Sequence, residues 1–194
     1  MDDLVKEKAM DALETIFTRR SVARVQPDPL PRQLIERLLH AAVQAPNHYR
    51  VRPWRFVVLT GDSRKALGEV MAQSLCKSNP ALPEAAMDLE RAKPLRAPVL
   101  IAVGVDKPAD ARVLHIENIC AAAAAVENLL LAAHAEGLGA MWRTGPAARD
   151  PQVKKFLGFA PDQDVIAFVY IGYPDMPLPP PERPSFEDRT TWMK

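Results

Sequence analysis

One segment limits what this chain can fold into more than any other. Between Ala111 and Glu136 the sequence runs through Cys120-Ala-Ala-Ala-Ala-Ala-Val-Glu-Asn-Leu-Leu-Leu-Ala-Ala133. As a helix it carries an apolar arc over most of its circumference, so it must be covered nearly all round. Its alanines permit close approach of another element. A central core helix and a contact with a second subunit are compatible readings. Gly137 fits the left-handed C′ position that stops such a helix. The most apolar part, Ile119 to Ala135, falls short of a typical membrane span and carries Glu127, Asn128 and His134, which favours a buried helix in a soluble fold.

The remaining pattern alternates helices with apolar strands. Asp11 to Arg20 reads as a short helix with Leu13, Ile16 and Phe17 at helical spacing. After a proline turn, Gln26 to Pro31, an amphipathic helix runs from Arg32 to Gln44 with Leu34, Ile35, Leu38, Leu39 and Ala42 on one face, and Pro46 ends it. Trp54 to Thr60, Val99 to Val105 and Val165 to Ile171 read as buried strands, and Met141-Trp142 as a short strand end. Gly61-Asp-Ser63 opens a helix to about Lys77, and Gln152 to Leu157 reads as another. Ser78 to Pro98, with its prolines and charges, reads as a lid or surface excursion. The whole chain, 1–194, reads as one domain, with residues 175–194 an extended proline-rich tail.

Charge and motif content exclude several function classes. Lys and Arg number 25 against 24 Asp and Glu, so no global field draws the protein to nucleic acid or anionic lipid. Two cysteines, Cys76 and Cys120, make neither a disulfide framework nor a four-thiolate zinc site. The four histidines form no short metal-ligand pair, and no metal is expected. Met1 to Lys8 has mixed charge and no apolar core, so a cytoplasmic protein is expected, with no nucleic-acid or membrane partner. Gly137-Leu-Gly139-Ala-Met-Trp142 begins like a dinucleotide turn, but Trp stands where the third glycine belongs, and the segment follows a helix rather than opening one. There is no phosphate loop and no nucleophile motif. With no catalytic side chain in view, a cofactor carrying its own reactivity fits best.

Three segments could hold one. Arg19-Arg20-Ser21 puts two guanidiniums and a hydroxyl within three residues, a set suited to phosphate; basic residues complementing a helix C-terminus are the other reading. Gln44-Ala-Pro-Asn-His48-Tyr-Arg-Val-Arg-Pro-Trp54 packs polar and aromatic groups between a helix stop and a strand, either as a binding loop or as a solvated one. Gly137 to Gly145 places Trp142, Arg143 and Thr144 between glycines that allow close backbone approach to a planar ligand; a helix cap followed by a strand would look the same.

Taken together, Arg-Arg-Ser, then Pro-Asp-Pro-Leu-Pro before a Leu-rich helix, then Ala-Pro…Pro-Trp-Arg-Phe-Val-Val resembles the FMN-dependent nitroreductase family. The late Gly-Leu-Gly-Ala-Met-Trp-Arg-Thr-Gly and Tyr170-Ile-Gly-Tyr-Pro174 match its shorter members, and the resemblance spans about residues 11 to 175. It implies an α+β fold, a central mixed, mainly antiparallel sheet among helices, in an intertwined homodimer with FMN at the subunit interface. It places phosphate contacts on Arg19, Arg20 and Ser21, flavin-ring contacts on Trp142, Arg143 and Thr144, and contacts from the opposite protomer on Gln44 and His48. Arg183 or Arg189 could supply a C-terminal phosphate contact. Arg143 is the candidate for the positive group beside the pyrimidine edge. The implied activity is ping-pong transfer of hydride from NADH or NADPH through flavin N5 to a nitroaromatic or quinone. A reductase specific for one metabolite and a non-enzymatic FMN-binding dimeric scaffold are the alternatives. This chain departs from many relatives in having Arg52 directly before Pro-Trp, and Asn47 and His48 after Ala-Pro, which bears on substrate preference.

Overall fold

A computed structural model describes residues 11–177 and 181–194; the Met1 to Lys8 segment and the prolines at 179 and 180 lie outside the described residues. The long apolar segment forms α5, His115–Ala135. The Glu117 carboxylate accepts the Leu114 N–H at 2.7 Å, closing the first turn. Gly137, at φ 73°, turns the chain out of the last, and Leu138 N–H donates to Ala133 O at 2.8 Å. With 21 residues, α5 is long and apolar enough to cross a membrane by length and composition, but one flank is pressed on a sheet.

That sheet has four strands, β1 (Trp54–Thr60), β2 (Val99–Val105), β3 (Gly139–Arg143) and β4 (Asp164–Gly172), in the order β1-β2-β4-β3 with every neighbour antiparallel. Its mixed character comes from an isolated parallel bridge, Ser21 with Ala140, outside the named strands. β2 is buried at every residue, which explains its unbroken apolar run. Strand alternation divides the core in two. Val99, Ile101, Val103, Ala167, Val169 and Ile171 face α5 and α2 (Arg32–Ala42). Leu100, Ala102 and Phe168 face α3 (Asp62–Ser78), where Leu67 and Met71 pack, together with Val153 of α6 (Pro151–Phe156). Fully buried side chains such as Leu38, Ile101, Leu129 and Ile171 each contribute about 1.5–3 kcal/mol through apolar burial.

Four elements differ from the sequence expectation. Residues 78–98 contain a docked helix, α4 (Glu84–Ala92), held on α3 by Arg91, which bonds Glu69, Glu84 and Asp88. β3 extends beyond Met141-Trp142 to Gly139 and Arg143. The first helix, α1 (Ala12–Thr18), turns Leu13, Ile16 and Phe17 outward, with Phe17 68% exposed. The outer flank of α5 likewise leaves Ile116 and Cys120 exposed and Leu131 half-buried, so the helix is covered on all but one stripe.

Candidate functional site

The Arg19–Ser21 segment is set by packing on both sides. Asp11 caps α1 by accepting the Leu13 N–H at 2.9 Å, and the helix closes with Arg19 N–H donating to Thr15 O at 3.0 Å. The chain then runs beside β3, where Val22 N–H donates to Ala140 O at 2.9 Å. Gly139 and Gly172 stand opposite each other on β3 and β4. A Cβ on Gly139 would lie 2.8 Å from Val22 Cγ1, and one on Gly172 2.8 Å from Val25 Cγ2. The two glycines therefore form a slot that seats both valines against the sheet.

Positive charge gathers at this corner. The Arg19 Nε donates to Glu127 Oε1 of α5 at 3.0 Å, with the guanidinium largely buried. From the far end of the chain, Arg183 donates to Arg19 O at 2.9 Å. His134 Nε2 lies 2.8 Å from Thr18 Oγ1. Burial holds His134 below the usual histidine range, and Arg19 and Arg20 push it further the same way. Among the described residues, neither Arg20 nor Arg183 has an ion-pair partner. Ser21 is exposed beside them. Two uncompensated guanidiniums with an exposed hydroxyl fit a phosphate dianion.

β3 is an edge strand, and its outer rim continues from this corner. Because the Ala140 carbonyl accepts from Val22, the backbone groups of Ala140 point away from β4. Antiparallel alternation sends those of Trp142 the same way, about 7 Å further along the rim. The side chains diverge. Trp142 lies on the α5 side and donates its indole N–H to Ile166 O at 2.9 Å. Arg143, opposite Phe168, goes to the α3 side, where it lines a cavity of about 390 Å³ with Thr144 and Gly145. A planar group lying along the rim would meet backbone at Trp142, while the Arg143 guanidinium stands on the other face.

Gln44 and His48 are elsewhere. Gln44 Nε2 donates to His40 O at 3.2 Å, and His48 Nε2 sits 3.9 Å from Glu117 at the start of α5. His48–Arg50 forms a 3-10 turn leading to β1, the edge opposite β3. Three strand spacings, about 14 Å, separate those edges. The loop is strained: Tyr49, Arg50 and Arg52 have φ of 47°, 55° and 51°, a region that costs non-glycine residues roughly 1–2 kcal/mol each. The Arg112 guanidinium stacks 4.8 Å from the Tyr49 ring centroid, and Asn47 Oδ1 accepts the Arg52 N–H at 2.9 Å. The structure thus brings Arg19, Arg20 and Ser21 beside the strand of Trp142 and Arg143, which Thr144 directly follows, and leaves Gln44 and His48 apart. Of the two tail arginines, Arg183 reaches the corner; Arg189 pairs with its neighbour Asp188 in solvent. Glu127 and His134 also belong there, and the signal for them is their spacing: seven residues, two helical turns, in an otherwise apolar helix.

A helix-flanked antiparallel sheet with a basic corner beside an edge strand defines a class, and comparison with known proteins places the chain in it. The sequence pattern of the Nitroreductase family matches residues 16–173, and the chain belongs to that family. It is 33% identical over 168 residues to YdjA of Escherichia coli K12, which carries a provisional NAD(P)H nitroreductase name; the match covers 86% of this chain and 90% of that protein. Among solved structures, a nitroreductase-like family protein from Bacillus cereus shares the fold with a TM-score of 0.81 at 24% identity, over 94% of this chain and 95% of that one. A provisionally named nitroreductase from Desulfovibrio desulfuricans, solved in complex with FMN, superposes with a TM-score of 0.68 at 25% identity, covering 89% and 91%.

Proposed function

We propose that the protein is an FMN-dependent oxidoreductase that takes hydride from NADH or NADPH and delivers it to an electron-poor acceptor, a nitroaromatic or quinone, working as a homodimer. The observation that carries this reading is the convergence of Arg19, Arg20, Ser21 and Arg183 at one end of the exposed β3 rim. A phosphate at the corner directs its attached ring along that rim. FMN supplies the hydride-transfer chemistry when bound, and the protein binds and orients it. Arg20 and Arg183 neutralise phosphate charge, Ser21 adds a hydroxyl donor, and Glu127 fixes the Arg19 guanidinium. Trp142 and Thr144 meet the ring edge through the backbone. The Arg143 charge lies across the strand.

The dimer follows from two features. Gln44 follows α2, and His48 lies in the turn that leads into β1, the sheet edge opposite β3, so they serve the site of a second protomer, as family resemblance implies. The outward apolar residues Leu13, Ile16 and Phe17 of α1 and Ile116 of α5 need a cover, and a second copy supplies one.

The test is the visible spectrum of the purified protein followed by anaerobic addition of NADH and then NADPH. A flavin spectrum bleached by either nicotinamide, and restored by a nitroaromatic or quinone, is the expected result. Stable yellow protein that neither nicotinamide bleaches would indicate a binding scaffold, and protein that stays colourless in excess FMN would overturn the reading.

A further inference from the structure

The phosphate corner holds a titratable side chain to which the cofactor reading gives no task. His134 stands half-buried in the last turn of α5, with Nε2 2.8 Å from Thr18 Oγ1. The Thr18 hydroxyl donates its hydrogen to Glu14 O at 2.6 Å, so it accepts from the imidazole, and Nε2 carries the ring proton. A second proton goes to Nδ1 and leaves the bond to Thr18 in place. The imidazole thereby pins the end of α1, and the next three residues are Arg19, Arg20 and Ser21. Two residues of chain span at most about 7 Å, so the Arg20 backbone lies within that distance of Thr18.

The charges facing His134 are mostly positive and mostly unopposed. Arg19 and Arg20 come from the end of α1, and Arg183 of the tail joins them by donating to Arg19 O at 2.9 Å. On α5 itself, Glu127, two turns back, is paired with Arg19, and Glu136 with Arg37 of α2. Glu14, one turn back on α1, is exposed. Burial, then Arg19 and Arg20, hold the imidazole below the usual histidine range. The carbonyls that end a helix act the other way and favour an imidazolium in its last turn. A dianion seated on Arg20 and Ser21 cancels the opposing charge and leaves the helix end to act.

From this arrangement we infer that His134 is a proton-coupled anchor of the corner: as a phosphate monoester dianion docks on Arg20, Ser21 and Arg183, Nδ1 takes up a proton from solvent. The bound phosphate is then faced by a third cation, and its affinity rises toward acid pH through this residue. With FMN as the phosphate monoester, the inference rests on the oxidoreductase reading.

The test follows His134 by NMR of the imidazole protons through the histidine range, about pH 8 to about pH 5.5. Protein freed of flavin is titrated at low ionic strength in chloride, inorganic phosphate, FMN or riboflavin. Phosphate and FMN should each raise the His134 midpoint above its value in chloride. Riboflavin, which lacks the phosphate, should leave it, and His40 and His115 should not move. His134→Gln, whose amide still donates to Thr18, assigns the resonance and removes the coupling. A charge interaction at a half-exposed site is worth a factor of roughly 2–5 in affinity. Relative to His134→Gln, the FMN Kd of the parent should tighten by that factor from the alkaline to the acid end of the range. Comparing the two proteins cancels the ionisation of the phosphate itself, at about pH 6. A His134 midpoint equal in chloride, phosphate and FMN, or the same pH dependence of the FMN Kd in both proteins, would overturn the inference; flavin reduced by a nicotinamide in that protein would still uphold the oxidoreductase. A midpoint raised by inorganic phosphate in protein that stays colourless in excess FMN would sustain the coupling and sink the cofactor assignment.

Discussion

Replacing Gly139 by alanine probes whether the glycine slot positions the phosphate corner. The new Cβ would come within 2.8 Å of Val22 Cγ1 and 2.9 Å of Val22 Cβ. The second approach is to the root of the side chain, so no rotamer of Val22 relieves it, and the 21–22 backbone must move off the strand. Overpacking by one methyl in a closed site costs about 1–3 kcal/mol. Lengthening the Val22 N–H to Ala140 O bond adds about 0.5–1.5 kcal/mol. For a chain of this size that lowers Tm by roughly 2–4 °C per kcal/mol. Because Ser21 and Arg20 move with Val22, FMN affinity should drop about tenfold for each 1.4 kcal/mol by which the corner's grip on the phosphate weakens. Quenching of free-flavin fluorescence gives the Kd, and thermal unfolding gives the stability. Gly137→Ala is the control: its Cβ meets nothing within 4 Å, but its φ is 73°. It should cost about 1 kcal/mol in stability and leave the Kd alone. If Gly139→Ala binds FMN as tightly as the parent, or if both variants weaken it equally, the slot does not position the corner.

The corner and its surroundings support further expectations. Arg20→Ala with Ser21→Ala should strip FMN while circular dichroism stays unchanged, and retained stoichiometric flavin would contradict the phosphate assignment. His134 has its folded pKa below the ordinary 6.5, so between those values the unfolded state binds the extra proton. Stability should therefore fall as pH drops through 6.5 and stop falling below the lowered value; denaturant midpoints of His134→Gln should lack this component, and an identical profile would exclude His134 as its source. Trp142→Phe removes the indole bond to Ile166 O and should cost about 0.5–1.5 kcal/mol in urea unfolding; a cost near zero would mean the bond contributes nothing net. Phe17→Asp with Ile116→Asp should give a monomer in sedimentation velocity, and an unchanged particle mass would remove the outer α1–α5 face from the subunit interface.

The strands and long helices are legible in the sequence because each carries its period in its own residues. β2 is a buried apolar run, and α2 has a clean helical stripe. α4 reads as an excursion because its docking depends on Arg91, whose carboxylate partners include Glu69 on another helix. β3 reads short because glycine and arginine at its ends are poor strand signals; Gly139 is there for the valines it admits. In the site, the contiguous Arg19–Ser21 block is visible as a block. Glu127 and Arg183 join it only through the tertiary fold, 108 and 164 residues from Arg19. Strand alternation alone parts Trp142 from Arg143, but which of them meets α5 and which α3 depends on where the strand lies in the sheet.

This parting of neighbours makes β3 sensitive to length rather than to composition. Deleting or inserting one residue between Gly139 and Trp142 would swing the indole under α3 and carry the guanidinium beneath α5, exchanging the chemistry of the two sheet faces at this edge. Drift at position 143 would retune the α3 face and leave the Trp142 face untouched. A frame change in this five-residue stretch would alter both together.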